Sequence, residues 1–203
     1  MSHSALFNLV ALQVLLCSAS AVGQEIPGQE IPAAGQEAPL VEQGIPSVEQ
    51  ETTLPPVVLK GEDGGTAAGE EWNSNKLRGK TSLILYVDTG KKQEAMPLIK
   101  KIDSLNYSTD ELGTYFIVNT SATKMPKFMI QTMIRQRQKA NSRIQYVLDN
   151  RQALIKEWNF TDQNLNVLVL DRSGKVLHRY AGEITQPYMD GLFSVIDSSL
   201  SRK

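Results

Sequence analysis

The sequence predicts an α/β fold in which a central mixed β-sheet is flanked by helices. Between residues 81 and 149, apolar runs typical of buried strands alternate with segments whose apolar residues recur at helical spacing. Two further apolar runs, 166–171 and 175–182, are joined by Arg-Ser-Gly, a connection typical of a β-hairpin. Alternating strands and helices favour a parallel sheet, and the hairpin adds an antiparallel edge to it.

Each remaining element is assigned from its own pattern. A short strand at 55–60 and a turn at 61–65 precede three buried strands, expected at 81–87, 113–119 and 144–149. Helices are expected at 91–105, 125–143 and 185–200, with Pro126 in the first turn of the second and Thr185 as the N-cap of the third. The apolar stripes expected to face the core in the first two helices are Ala95, Leu98, Ile99, Ile102 and Leu105, and Met129, Ile130, Met133 and Ile134.

The first 23 residues are predicted to be a signal peptide. Ala5–Cys17 is mostly apolar, uncharged and too short to span a bilayer comfortably, and Ser18–Ala21 supplies the small residues that a signal peptidase requires. A lipoprotein signal ending at Cys17 is the alternative. Because Leu16 is bulky where such a signal requires a small residue, we expect simple secretion rather than a lipid anchor at Cys17.

The cysteine and histidine inventory limits the chemistry. Cys17 is the only cysteine, and removal of the signal peptide would also remove His3 and leave His178 as the only histidine. A chain of that composition has no disulfide, no thiol nucleophile and no Cys/His metal site. We therefore expect no metal and no cofactor, and a fold held together by its hydrophobic core.

Residues 24–53 are predicted to form a disordered linker, and residues 54–203 a single domain. The linker contains a Gln-Glu-Ile-Pro sequence twice, as part of a Gly-Gln-Glu-Ile-Pro repeat that begins at Gly23. It also contains six glutamates and no lysine or arginine, a composition that buries too little apolar surface to fold. The domain has 21 basic and 16 acidic residues, so its net charge is +5. The linker and the domain are therefore of opposite charge.

The order of elements resembles the thioredoxin fold. In thioredoxins the corresponding strand leads into a Cys-x-x-Cys motif at a helix start, with a proline eight residues after the first cysteine. Pro97 lies eight residues after Thr89, so the resemblance places Thr89–Lys92 in the Cys-x-x-Cys window, where neither cysteine is present. The position of the thioredoxin cis-proline falls near Asn166. The resemblance thus implies a thioredoxin-like domain without dithiol redox or peroxidase chemistry.

Four segments resemble more specifically the YtfJ family of bacterial periplasmic proteins, which is thioredoxin-like and lacks the Cys-x-x-Cys pair. They are Trp72–Lys80, Ile117–Pro126, Val147–Trp158 and Asn166–Val176. The resemblance covers the chain from about residue 54 to its C-terminus. It implies a periplasmic location, in agreement with the signal segment, and no settled activity.

A ligand site is predicted where the thioredoxin dithiol would lie. At the predicted helix start, free backbone N–H groups, a hydroxyl and two ammonium groups would favour an anion. The thioredoxin fold should bring this segment close to the loop near 119–121 and to the segment near 166. The candidate ligand-binding residues are Thr89, Gly90, Lys91, Lys92, Asn119, Thr120 and Asn166. The alternative interpretation is an exposed turn with solvated lysines.

A second candidate surface is the basic helix at 124–143, which contains no acidic residue. As an amphipathic helix it could make peripheral contact with an anionic membrane surface, or it could simply be a solvated face. Secretion and the lack of a recognition motif exclude nucleic acid as a partner. The basic residues are Lys124, Lys127, Arg135, Arg137, Lys139 and Arg143.

Other chemistry-bearing residues have structural explanations. Asp149 and Asp171 each end an apolar strand and as a pair could bind a metal, but Asp171 also fits the first position of an Asp-Arg-Ser-Gly turn. His178 could act as a base, yet it lies in a predicted strand. The methionines at 125, 129 and 133 are expected to pack in the core. Trp72 and Trp158 are expected at the core or at its rim.

The function predicted from sequence is that of a redox-inactive binding or protein-interaction module of the cell envelope. Its expected partner is an envelope protein or a small anionic ligand. Two alternatives stay open at this stage. One is a cysteine-independent enzyme that uses Lys91 or Lys92 as a base or anion clamp, and the other is a binder of the anionic envelope surface through the basic helix.

Overall fold

The computed structural model describes residues 53–121 and 123–202. All of them belong to one compact unit within residues 43–203. The predicted signal peptide, residues 1–23, and all but the last residue of the predicted linker, residues 24–53, lie outside the described part of the chain.

Eight strands and four α-helices follow one another along the described chain. The strands are β1 (Val58–Leu59), β2 (Gly64–Thr66), β3 (Trp72–Asn73), β4 (Thr81–Asp88), β5 (Leu112–Asn119), β6 (Ile144–Asp149), β7 (Asn166–Leu170) and β8 (Val176–Ala181). The helices are α1 (Met96–Leu105), α2 (Lys127–Ala140), α3 (Ala153–Trp158) and α4 (Gln186–Ser201). Two short 3₁₀ turns, Gly61–Asp63 and Ser74–Leu77, complete the list.

Six strands form one mixed sheet in the order β2-β6-β5-β4-β7-β8. β4, β5 and β6 are parallel, whereas β7 runs antiparallel to β4, and β8 runs antiparallel to β7. This confirms the predicted parallel portion and its hairpin edge. The strand at the other edge, β2, is also antiparallel to its neighbour, β6. β1 and β3 form a separate two-stranded ribbon.

The sheet separates two apolar layers, because successive side chains of a strand point to opposite faces. One face carries Leu83, Leu85 and Val87 of β4 and packs against α1, α2 and α4. The other face carries Ile84 and Tyr86 and packs against the β1–β3 ribbon and α3. Trp72 and Trp158 are buried in this second layer, with ring centroids 6.4 Å apart, as the sequence predicted for core residues.

The first helix begins at Met96, five residues later than predicted. Pro97 is the reason: inside a helix begun at Lys91 it could not donate a hydrogen bond to Gln93 and its ring would clash there, whereas it suits a first turn. The chain before Met96 instead makes successive tight turns, in which the amide of Lys91 donates to Asp88 O and the amide of Glu94 donates to Lys91 O. The prediction of a helix from Lys91 is therefore wrong.

The apolar stripes are also narrower than predicted. Ala95, Leu98, Ile99 and Ile102 are buried, but Leu105 is 40% exposed at the end of α1. In α2, which spans Lys127–Ala140 rather than 125–143, Ile130 and Ile134 are buried, while Met129 and Met133 are exposed. The prediction that the methionines pack in the core is therefore wrong for Met129 and Met133.

Three elements were not predicted, namely β2, β3 and α3. β2 lies within the stretch interpreted as a turn. Its Gly64 has a φ of 136°, and a Cβ atom there would lie 1.9 Å from the carbonyl oxygen of Leu148, so only glycine allows the two strands to approach this closely. α3 has six residues, too few to show helical periodicity.

None of the helices in the described residues is long and apolar enough to cross a membrane.

A pair of leucines on α1 tests this assignment of the core. Leu98 is fully buried, so a Leu98→Ala substitution should lower the free energy of unfolding by about 2–5 kcal/mol. Leu105→Ala, at the exposed end of the same helix, should lower it by less than about 1 kcal/mol. Urea unfolding of both variants measures the two values. Equal losses would contradict the helix orientation described above.

Candidate functional site

The parallel strands β4, β5 and β6 end in a row of polar side chains. Asp88, Asn119 and Asp149 are paired in register across the three strands. Asn119 Nδ2 donates to Asp88 Oδ1, and Asn119 Oδ1 accepts from both the amide and the hydroxyl of Ser121. Asn119 is buried and both the nitrogen and the oxygen of its amide are already bonded, so its hydrogen bonds stabilise this edge of the sheet internally.

The two threonines of the predicted site also bond within the protein. Thr89 Oγ1 donates to Asn119 O at 2.9 Å, and the Thr89 amide donates to the same oxygen at 3.2 Å. Thr120 Oγ1 donates to Asn150 Oδ1 at 2.6 Å, and its amide donates to Asp149 O. These bonds bring Thr89, Asn119 and Thr120 together, as the sequence predicted, and they fix the loops that follow β4 and β5.

Gly90, Lys91 and Lys92 lie in the turns before α1. Lys91 Nζ makes an ion pair with Glu94 at 3.1 Å, and the Lys91 side chain is 40% exposed. Lys92 lies at the rim of a cleft described below. Since the helix begins at Met96, these residues are not at a helix N-terminus. The anion site was predicted from a helix start at this position, and that part of the prediction is wrong.

Asn166 lies on β7, beside Tyr86 of β4 rather than beside Asp88. Its Oδ1 accepts from the amide of Thr161 at 2.8 Å, and its Nδ2 donates to Thr161 O at 2.8 Å and to Asn164 O at 3.2 Å. This side chain is buried and fastens its own loop. The structure thus places Asn166 near the same edge of the sheet, with its amide already bonded.

Asp149 accepts more hydrogen bonds than the other carboxylate of this edge, Asp88, and its position at a strand end was the only sign of that role in the sequence. Its Oδ1 accepts from the amides of Arg151 and Ala153, and its Oδ2 accepts from the amide of Leu154 and the hydroxyl of Tyr86. Burial, assisted by the neighbouring Asp149 carboxylate, raises the pKa of Tyr86 well above its ordinary value. Tyr86 therefore stays a neutral donor.

The paired-carboxylate metal site considered from the sequence does not form. Asp149 lies at the end of β6, at the same edge as Asp88. Asp171 follows β7, which runs antiparallel to β4. It therefore lies at the opposite end of the strands, near the start of β4. There it accepts from the amides of Ser173 and Lys175, as expected for the first residue of a turn.

An apolar cleft opens beside the turns at Thr89–Lys92. It lies between the start of α1 and the length of α2, above the sheet. Its apolar walls include Met96, Phe116, Met125 and Met133, and its rim includes the cations Lys92 and Arg137. Sequence reasoning missed it because the methionines were assigned to the core. The signal available was their four-residue spacing beside a run of basic residues.

His178 lies in β8, as its strand interpretation predicted, and is buried. A hydrogen bond of 3.1 Å joins its Nε2 to the hydroxyl of Tyr188, whose ring stacks on Tyr180 at 4.0 Å. Burial lowers the pKa of His178 below its ordinary value. Its hydrogen-bond partner is a phenol rather than the carboxylate and nucleophile that a catalytic triad needs.

Comparison with known proteins identifies the family. The family model described as "Bacterial protein of unknown function (YtfJ_HI0045)" matches residues 43–199. The chain belongs to this family. "Uncharacterized protein YtfJ" of Escherichia coli (strain K12) is 24% identical over 155 residues, which are 72% of this chain and 84% of the relative. An uncharacterized protein of Haemophilus influenzae Rd is 23% identical over 162 residues, or 74% and 86% of the two chains. The predicted resemblance is confirmed.

Solved structures establish the fold. A putative thiol:disulfide interchange protein DsbE from Chlorobium tepidum matches with a TM-score of 0.56 at 13% identity, over 76% of this chain and 99% of that one. A putative thioredoxin from Neisseria meningitidis matches with a TM-score of 0.55 at 17% identity, over 76% and 93%. This YtfJ-family chain is therefore thioredoxin-like, as predicted. Since its one cysteine is Cys17, it has no Cys-x-x-Cys pair.

The role of Asp149 in this YtfJ-family domain can be tested by an isosteric change. Asp149→Asn should lower the free energy of unfolding by roughly 2–4 kcal/mol, because an amide group would face donors that now bond to a buried carboxylate. Asp110→Asn removes the same charge from an exposed position and should change stability by less than about 0.5 kcal/mol. Chemical denaturation measures both. Equal stability of the two variants would refute the assigned role.

His178 should make stability depend on pH. As the pH falls below about 6.5, the unfolded histidine binds a proton that the native one, with its lowered pKa, does not, so the native state loses stability. In a His178→Phe variant this contribution is absent. The stability of the parent relative to the variant should therefore decline by up to about 1.4 kcal/mol per pH unit. Urea unfolding between pH 7.5 and 5 measures it, and parallel curves would contradict the prediction.

Proposed function

We propose that this chain is a redox-inactive thioredoxin-like module of the bacterial cell envelope that binds segments of other envelope polypeptides. The observation that carries the proposal is the apolar cleft beside Thr89–Lys92. It lies where the thioredoxin resemblance places the Cys-x-x-Cys motif, and the chain has no sulfhydryl group there. According to this proposal, the domain has a binding surface at the position of the thioredoxin dithiol but no dithiol.

The cysteine inventory supports the loss of redox activity. Exchange between a dithiol and a disulfide proceeds through attack by a thiolate, and a second thiol resolves the mixed disulfide. The Chlorobium tepidum neighbour is described as a putative thiol:disulfide interchange protein, which is the chemistry that this chain lacks the residues to perform. Its similarity to the present chain is in the fold.

The lining of the cleft supports a polypeptide as the partner. Methionine side chains are unbranched and polarizable, so a cleft walled by Met96, Met125 and Met133 can adapt to apolar side chains of different shapes. Lys92 and Arg137 at the rim would attract acidic residues that flank such a segment. A small anion is less well matched, because the walls between these cations are apolar.

The lysine environments favour binding over catalysis. A lysine that acts as a base must be desolvated or have a cationic neighbour that favours its neutral form. Lys91 is 40% exposed and its ammonium group contacts the carboxylate of Glu94, so it is neither desolvated nor beside a cation that would favour its neutral form. Lys92 stands at the rim of the cleft, where it can attract a ligand.

An envelope location is part of the same proposal. It rests on the apolar segment Ala5–Cys17 and the small residues after it, which fit a secretory signal. The resemblance to a periplasmic family supports it. A periplasmic module with no cysteine after position 17 would function unchanged in an oxidising compartment.

The cleft can be tested with a labelled peptide of about 12 residues that alternates leucine with glutamate. The parent chain should bind it, and Met133→Glu should weaken binding at least tenfold, because a carboxylate would replace apolar contact and repel the peptide (tenfold is about 1.4 kcal/mol). Leu105→Glu makes the same chemical change outside the cleft and should have no effect. Fluorescence anisotropy measures the dissociation constants.

Two further outcomes decide the proposal. Binding should be the same in oxidising and reducing buffer, because no thiol takes part. If the parent does not bind the peptide, or if Met133→Glu binds as well as Leu105→Glu, the cleft is not the binding surface.

A further inference from the structure

We propose that the N-terminal end of α2 docks on an anionic lipid bilayer. The surface consists of Lys124, Lys127, Phe128 and Met129 and is called the α2 tip below. This inference is independent of the proposed function, since the peptide cleft and the α2 tip are different surfaces. It gives a role to the basic helix, which polypeptide binding in the cleft does not explain.

Phe128 is the main apolar group of the tip. Its side chain is 71% exposed, compared with 44% for Met129 and about 40% for Leu105. Two adjacent large apolar side chains are therefore presented to the surroundings at one end of one helix. Single exposed apolar residues need no explanation, but an outward-pointing phenyl ring with a neighbouring methionine and flanking lysines has the composition of an interfacial membrane contact.

The charges along the chain on both sides of the tip are of one sign. From Leu112 to Leu148 the chain contains six basic residues and no acidic residue. Arg135 is used internally, since its guanidinium donates to the carbonyl oxygens of Ala67 and Ala68. Within residues 53–121 and 123–202, Lys124 and Lys127 have no acidic side chain within 4.0 Å. In this part of the chain no carboxylate neutralises the two cations, which are exposed and can meet an anionic surface.

Helix geometry adds a third cation to the same side. At about 100° per residue, Lys139 lies only about 20° around the axis from Phe128 and three turns further along α2. Met133 lies about 140° away from Phe128, on the side that borders the cleft. A bilayer that contacts Phe128 can therefore meet Lys139 while the cleft faces elsewhere.

A bilayer fits these observations better than an acidic protein does. Protein partners are usually anchored by side chains that enter well-packed pockets from which water is excluded. No residue of the α2 tip lines the cleft described above, and the Phe128 side chain is 71% exposed. A lipid headgroup layer can close around a projecting aromatic ring, and its negative surface potential attracts lysines that flank the ring.

Vesicle binding tests the proposal, with the protein used as recovered from expressing bacterial cells so that any N-terminal processing has already occurred. The parent should bind vesicles of phosphatidylglycerol and phosphatidylcholine more tightly than vesicles of phosphatidylcholine alone, and 0.5 M salt should weaken the difference because it screens exposed charges. Lys124→Glu with Lys127→Glu should weaken binding to the anionic vesicles at least about tenfold. Phe128→Ala should weaken it about tenfold by removing apolar contact while the charge stays the same.

Matched controls separate the tip from general effects. Lys60→Glu with Lys76→Glu changes the net charge by the same amount at two other exposed lysines, and Leu105→Ala removes another exposed apolar side chain. Both should bind as the parent does. Thermal unfolding should show that every variant is folded, as expected for exposed positions.

Three results would overturn the proposal. One is the absence of a preference for anionic vesicles. Another is an equal loss of binding in the tip variants and in the matched controls, which would indicate a general effect of net charge. The third is a tip-dependent interaction with polyglutamate but not with vesicles, which would assign the surface to an acidic protein.

Discussion

This end of the domain depends on the hydrogen bonds that the buried carboxylate of Asp149 accepts. It accepts a hydrogen bond from Tyr86 of β4 and three from backbone amides at the start of α3. α3 in turn carries Leu154 and Trp158 into the second apolar layer. A single side chain therefore connects the middle of the sheet to the helix that covers it. Such a group is costly to desolvate, so its four hydrogen bonds are what make its burial tolerable.

This network changes the interpretation of the polar edge. In an α/β sheet, residues at the carboxyl ends of parallel strands are the usual candidates for ligand contacts. Here Asp88, Asn119 and Asp149 bond to one another's strands and loops instead. What this edge provides is a rigid base for the turns at 89–95. The surfaces that we propose for partners lie beside it, on α2 and in the cleft, where side chains are exposed and have few internal bonds.

The parts of the fold that were predictable from sequence are those with strong local signals. The buried strands, the hairpin turn at Asp171 and the Thr185 cap each follow from a few adjacent residues, and the structure contains all of them. Thr185 Oγ1, for example, accepts from the amide of Tyr188. The family resemblance was likewise readable, because its motifs are continuous segments. The meeting of Thr89, Asn119 and Thr120 was expected because the resemblance to the thioredoxin fold places their segments close together.

Several of the parts that were missed depend on contacts between elements. β2 exists because glycines allow its backbone to approach β6, a relation that no local pattern shows. α3 is too short to show helical periodicity, although the carboxylate that caps it, Asp149, lies only four residues before Ala153. The methionines of α2 were misplaced because periodicity identifies an apolar stripe but not its width, and the sheet covers only the part near Ile130 and Ile134. The start of α1 was the avoidable error, since Pro97 was visible in the sequence.

The late start of α1 bears on what the fold can do without thiols. A helix N-terminus stabilises a thiolate by its dipole, which is useful only if the thiol lies in the first turn. In this chain the residues at the dithiol position lie in turns before the helix, and Ala95 precedes Met96 without a side-chain cap. The electrostatic arrangement that activates a cysteine is therefore absent along with the cysteine itself. Introducing cysteines at positions 89 and 92 would place them in turns braced by Asn119, not at a helix start. Restoring the two sulfur atoms alone would not restore a thioredoxin-type active site.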